Sequence, residues 1–304
     1  MANTWTTKNP IPTGREGAIG FSCVVGGTPK AYIGFGNTST GQPADLYEFN
    51  AGSWTLKWTG PPAGTSTSPS GREYAIAVSD GKYGYMGTGN FQNSNLKDLW
   101  KYDPVLNTWL PLPVPTNFIA RHKAIAFYMN GKIYIGTGNI GGSSPASNDF
   151  WEFNTSTLWK QLTPLPVSGL IGSVGFAIGS VGYVGTGADK NSSGQKDFYA
   201  FDRNTPTGGT GTWTLLKKAE FPEVLSNGTG FTINNKAYVL GNNILSNTGT
   251  NFYEFNPKGS SGWKSLQPLH PPRLLAVGFS MANKGYIGTG FTNTLLNDFH
   301  EYTP

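Results

Sequence analysis

Ala124-Ile125-Ala126-Phe127, the turn pair Asn130-Gly131, Tyr134-Ile135-Gly136-Thr137-Gly138, Asp149-Phe150-Trp151-Glu152-Phe153 and Trp159-Lys160-Gln161 follow one another in a single stretch of the chain. The first run is small and apolar with little polar alternation, which predicts a strand buried on both faces. Asn-Gly tolerates positive φ and predicts a short hairpin connection. A glycine-ended second strand, an acid–aromatic third strand and a tryptophan-bearing fourth strand complete the unit.

The same succession recurs along the whole chain. Further inner-strand runs are Ala18-Ile19-Gly20-Phe21, Ala75-Ile76-Ala77-Val78, Ser173-Val174-Gly175-Phe176, Thr229-Gly230-Phe231-Thr232 and Ala276-Val277-Gly278-Phe279. Third strands begin at Asp45, Asp98, Asp149, Asp197, Asn251 and Asp298. Six tryptophans, Trp5, Trp54, Trp109, Trp159, Trp213 and Trp263, are separated by 49, 55, 50, 54 and 50 residues. Passing from Trp263 off the C-terminus and back in to Trp5 adds 46 (304 − 263 + 5). A period near 50 that closes across the termini predicts a ring of repeats.

The last repeat stops at Pro304 after its third strand, and Asn3-Thr4-Trp5-Thr6-Thr7 supplies the missing one. Such closure removes the open sheet edges that invite aggregation. The expected architecture is all-β, a single six-bladed β-propeller over residues 1–304. Its four-stranded antiparallel blades fall near 12–58, 70–112, 119–163, 170–217, 226–267 and 273–304 plus 1–8.

Taken together, these residues resemble the kelch repeat, and the resemblance covers essentially the whole chain. The departure is Gly-Thr-Gly, as at Gly87-Thr88-Gly89, where many kelch repeats carry a Gly-Gly pair; this variation is associated with bacterial members.

Composition narrows the function classes. Gly 42, Pro 21 and 13% aromatics suit short strands and turns, while 13% charged is low against the usual quarter. The net charge of +5 is mild and no run of Lys or Arg occurs, which argues against a nucleic-acid partner. The lone Cys23 excludes an internal disulfide and a cysteine zinc site, and its neighbours make it a small core residue. No apolar run is long enough to span a bilayer. A monomer without cofactor or metal is expected. A secreted, periplasmic or cell-surface location is favoured if a leader has been removed ahead of residue 1.

Candidate site residues lie where the kelch resemblance implies one face of the ring. Lead-ins to the inner strands carry Arg15-Glu16, Arg72-Glu73, Arg121-His122-Lys123 and Arg273, whereas repeats four and five have Leu170-Ile171-Gly172 and Ser226-Asn227-Gly228. Asn37, Asn90, Phe91, Asn139, Asn242-Asn243 and Phe291 follow the second strands. Arginine's planar fork suits carboxylate or phosphate recognition, so Arg15, Arg72, Arg121 and Arg273 are expected either to line a channel mouth for a glycan, a small anion or a protein, or to tie neighbouring blades through carboxylates such as Glu16 and Glu73. The recurrent aspartates read as structural hydrogen-bonding groups and the tryptophans as packing. Phe91, Phe118 and Phe291 are expected to face outward. The irregular stretches 61–70, 141–148, 190–196 and 205–212 are expected to be loops, where function concentrates on rigid scaffolds.

Two classes follow. One is a non-catalytic binding propeller. The other is a sugar mutarotase of the sialic acid mutarotase type, also six-bladed and kelch-like, for which Glu16, Glu73, Arg72 and His122 supply suitable acid–base chemistry. The copper chemistry of the galactose-oxidase group is disfavoured, since His122, His270 and His300 stand in different repeats. The Glu, Asp and His spacing of iron-dependent specifier proteins is absent from the sequence.

Overall fold

The computed structural model describes residues 3–60, 68–156, 158–217, 219–241, 250–259 and 262–304. Six four-stranded antiparallel sheets make up the ring, with no helix among the described residues. The innermost strands are Ile19–Val25, Ile76–Ser79, Ile125–Met129, Val174–Ile178, Thr229–Ile233 and Val277–Met281. Glycine and alanine among them allow the crowding. A Cβ on Gly20 would stand 2.3 Å from Val277 of the next inner strand.

Closure is observed in register. Thr4–Lys8 pairs antiparallel with Phe299–Thr303, placing Trp5 opposite Tyr302. The Trp5 indole donates to the Gln267 carbonyl of the preceding blade at 3.2 Å, and its ring meets Phe252 with centroids 4.9 Å apart. Trp54, Trp159, Trp213 and Trp263 likewise donate to the carbonyls of Asn9, Pro113, Thr163 and Ala219. Each of these acceptors lies in or just after the preceding blade's outer strand. These five tryptophans are therefore inter-blade ties as well as packing residues, while Trp109 serves in packing, against Tyr102 and Phe35.

A second repeated device joins second and third strands. Tyr32 and Lys30 both donate to Glu48; Tyr134 and Lys132 to Glu152; Tyr238 and Lys236 to Glu254; Tyr286 and Lys284 to Glu301. Antiparallel register places Tyr directly opposite Glu in each case, as in Tyr32↔Glu48. Cys23 is buried, as expected, beside Ser79.

The two sets of connecting segments share one face. Glu16 pairs with Asn37, Glu73 with Asn90, His122 with Asn139 and Leu274 with Phe291, each across an antiparallel bridge. Asn242 and Asn243, and residues 61–67 of the irregular stretch at 61–70, lie outside the described residues.

Candidate functional site

The arginines are not part of the open face. Arg15, Arg72, Arg121 and Arg273 are at most 1% exposed. Each forks onto the aspartate that begins the third strand of its own blade: Arg15 on Asp45 at 2.6 and 2.8 Å, Arg72 on Asp98 at 2.6 and 2.7 Å, Arg273 on Asp298 at 2.6 Å for both bonds, and Arg121 on Asp149 likewise. Two further N–H groups of each go to backbone. Nε donates to the carbonyl two residues earlier, as Arg72 does to Ser70, and Nη1 to the carbonyl of Phe35, Thr88, Thr137 or Thr289.

Both sequence-based expectations for these side chains are corrected. They neither line a mouth nor pair with Glu16 and Glu73. A fully desolvated guanidinium needs a carboxylate at fork distance, and the blade's own aspartate supplies it. The inter-blade link at these positions is carried by backbone: Gly36, Gly89 and Gly290 donate to the carbonyls of Arg72, Arg121 and Arg15 in the next blade. This explains the second glycine of Gly-Thr-Gly. Gly89 sits at φ 96°, and a Cβ there would meet the Glu73 carbonyl at 2.9 Å.

Two residues beyond each arginine position, the chain forms a hydrogen-bonded collar around the channel. Tyr74 N–H donates to Gly17, Lys123 to Tyr74, Gly172 to Lys123, Asn227 to Gly172, and Gly17 to Leu275. All six residues hold φ between 54° and 65°. For Tyr74, Lys123 and Leu275 this left-handed backbone is sterically costly and persists because the collar imposes it. The mouth inside encloses about 130 Å³.

Its lining is lopsided. Blades two and three line it with Tyr74 and Lys123, and blades four, five and six with Gly172, Asn227 and Leu275; Glu16, Glu73, His122, Ile171 and Leu274 each stand one position before the lining, on the bridged face. The Lys123 ammonium lies 4.5 Å from the centroid of the Tyr74 ring, a cation–π contact. That ring packs on Gly17, where a Cβ would come within 2.6 Å. Burial, then the neighbouring Glu16, pushes the Glu73 carboxyl up, against the pull of Gln42 and Lys123. Burial pulls Lys123 below the ordinary lysine range despite Glu73 and Glu16. Burial, reinforced by Lys123, lowers His122 to about 4, and its Nδ1 is 2.7 Å from Asn95 Oδ1. The site thus joins carboxylates, a phenol, a neutral imidazole and a partly desolvated amine on a rigid floor.

Of the sequence-based candidates, the fold brings together Glu16, Glu73 and His122 and removes Arg72. Asn37 Nδ2 approaches Glu16 at 3.4 Å, and Asn90 and Asn139 take part in the face bridges. Phe91 and Phe291 are half-buried there. Phe118 is corrected: it is 1% exposed and packs its ring on Trp151 and Trp159, with the Arg121 guanidinium 4.4 Å from its centroid. Tyr74 is the face residue that residue-type reasoning passes over, and Lys123 enters that reasoning only as part of the Arg121-His122-Lys123 lead-in. The signal for Tyr74 is position: like Lys123, it immediately precedes the small residue that opens an inner-strand run.

The fold and collar define a six-bladed propeller of kelch type. The kelch-repeat profile described as "KLHDC2/KLHL20/DRC7 Kelch-repeats domain" matches residues 2–171, more than half the chain, and the chain belongs to the kelch-repeat family. The chain is also similar to a solved structure described as "Structure of YjhT", at 16% identity, with a TM-score of 0.74, covering 96% of this chain and 95% of that one. That likeness is one of fold. No curated protein matches the chain.

Proposed function

We propose that the polar half of the mouth binds a polyhydroxylated, glycan-type ligand, and that the protein is a binding propeller rather than a catalyst. The observation that carries this reading is the grouping of Tyr74 and Lys123, on strained, collar-locked backbone, with the Glu73 carboxylate beside them. Sugar recognition calls for fixed acceptors and donors beside an aromatic ring, and strain of this kind clusters at ligand clamps. The opposite side of the mouth, with Gly172 and Leu275, fits the less polar face of such a ligand. A glycan-array screen followed by ligand-observed NMR tests it. Glu73→Gln and Lys123→Met should each weaken the best binder about tenfold or more. Unchanged binding by both, in variants that keep their melting temperature, would overturn the reading.

A second reading has its own support. The Glu73 carboxyl is displaced upward and the Lys123 ammonium downward, each toward the neutral range in which acid–base groups work. Sugar mutarotation needs such a pair. Acceleration of anomer exchange, followed by proton NMR and lost in Glu73→Gln, would favour catalysis over simple binding.

A further inference from the structure

Blade four keeps the aspartate of the arginine clamp and lacks the arginine. Leu170 occupies the arginine position, buried among Leu162 and Leu165. Its backbone runs as in the other blades: Gly138 N–H donates to the Leu170 carbonyl, just as Gly89 donates to that of Arg121. Asp197 stands just before the third strand, and Thr186 N–H donates to its carbonyl just as Thr88 N–H donates to that of Asp98. Where a guanidinium would lie there is a cavity of about 270 Å³, lined by Ser168, Leu170, Asp189, Gln195, Asp197 and Tyr199. At about 30 Å³ per water, that is the space of roughly nine waters.

We propose that this cavity is a receptor for a guanidinium group, an arginine side chain carried by a peptide or free arginine itself. The sister blades show what the socket takes. On equivalent atoms, Asp45, Asp98, Asp149 and Asp298 each hold a guanidinium through two parallel bonds. The supporting contact to the aspartate is also kept. Trp100, Trp151 and His300 bond the carboxylates of Asp98, Asp149 and Asp298 from two residues on, and Tyr199 approaches Asp197 from the same position at 3.4 Å. Ser168 stands where Ser70 gives its carbonyl to Arg72 Nε. Asp189 adds a second carboxylate to the wall.

Blade five provides the contrast. It has Leu225 at the arginine position and Asn251 in place of the aspartate, and Asn251 Nδ2 donates to Glu223 at 2.9 Å. There the amide at the aspartate position has a partner within the blade. In blade four Asp197 is exposed and no salt bridge to it is found among the described residues.

Titrating the intact protein with N-acetylarginine amide, free arginine and N-acetyllysine amide, followed by amide NMR shifts, tests the proposal. The arginine amide should shift the signals of Leu170, Gln195 and Asp197. The lysine analogue should bind about tenfold more weakly, because an ammonium cannot fork. Equal affinity for free arginine points to a small-molecule ligand, and preference for the amide to a peptide; either supports a guanidinium receptor. Asp197→Asn, at an exposed position, should reduce binding about tenfold or more. Leu170→Arg should fill the socket from within, abolishing binding and raising the melting temperature. If lysine and arginine amides bind alike, or if Asp197→Asn binds as wild type, the proposal is wrong; the second outcome decides it even if Leu170→Arg does not fold.

Discussion

Arg72 and Asp98, 26 residues apart, meet through two parallel hydrogen bonds of 2.6 and 2.7 Å, with the arginine side chain 1% exposed and the aspartate 29%. The asymmetry has a consequence. Removing the aspartate strands an enclosed cation, whereas removing the arginine leaves an anion that water can reach. Asp98→Asn should therefore cost more than Arg72→Met, about 4 against about 2 kcal/mol. Urea denaturation measures both, and the reverse order would refute the enclosed clamp.

The clamps also set an acid limit. Burial pushes the Asp149 carboxyl up, but the bonds from Arg121, Trp151 and Ser147 outweigh it and the net displacement is downward. Asp298 is lowered in the same way, its burial offset by His300 and Arg273. A carboxyl whose folded pKa lies below its unfolded one stabilises the fold above the unfolded value and loses that contribution as pH falls toward the folded one. Stability should hold near neutrality and decline below about pH 4. In Arg121→Met that decline should be shallower, as chemical denaturation across pH would show.

His122 should titrate near 4 by proton NMR. It binds fewer protons folded than unfolded between its ordinary 6.5 and about 4, so its contribution to stability rises with pH across that window. In His122→Asn the slope over this range should flatten. A midpoint near 6.5 would mean that the ring is not desolvated.

Trp5→Ala should destabilise the whole ring by about 3 kcal/mol, since Trp5 packs against Tyr302 and Phe252 and ties to Gln267. Deleting residues 1–8 should do more by exposing the Phe299–Thr303 edge. An unchanged melting temperature in the deletion would contradict closure by these termini.

Gly17→Ala tests the face separately from the ring. The added methyl would stand 2.6 Å from the Tyr74 ring at a residue with φ 56°. Ligand binding at the mouth should be lost, at a stability cost of about 1–3 kcal/mol. Retained binding would remove Tyr74 from the site.

The period of the tryptophans, the paired turn residues and the interrupted last repeat determine the ring and its closure without any coordinates. Each is a local pattern repeated in order, and a strand's partner in such a blade is its neighbour in sequence. Pairings between side chains far apart in the chain were not so legible. Arginine and aspartate recur at separate positions of the repeat, and the clue lies in their joint distribution: every repeat with the arginine has the aspartate, and repeat five lacks both. Repeat four, with aspartate alone, is the exception that leaves a cavity. Only the tertiary structure decided which way the arginines point, because burial of a charge depends on whether a carboxylate waits at fork distance inside. The same holds for Tyr74 and Lys123. The left-handed backbone that presents them arises from the collar of hydrogen bonds between blades, and no single repeat contains both ends of those bonds.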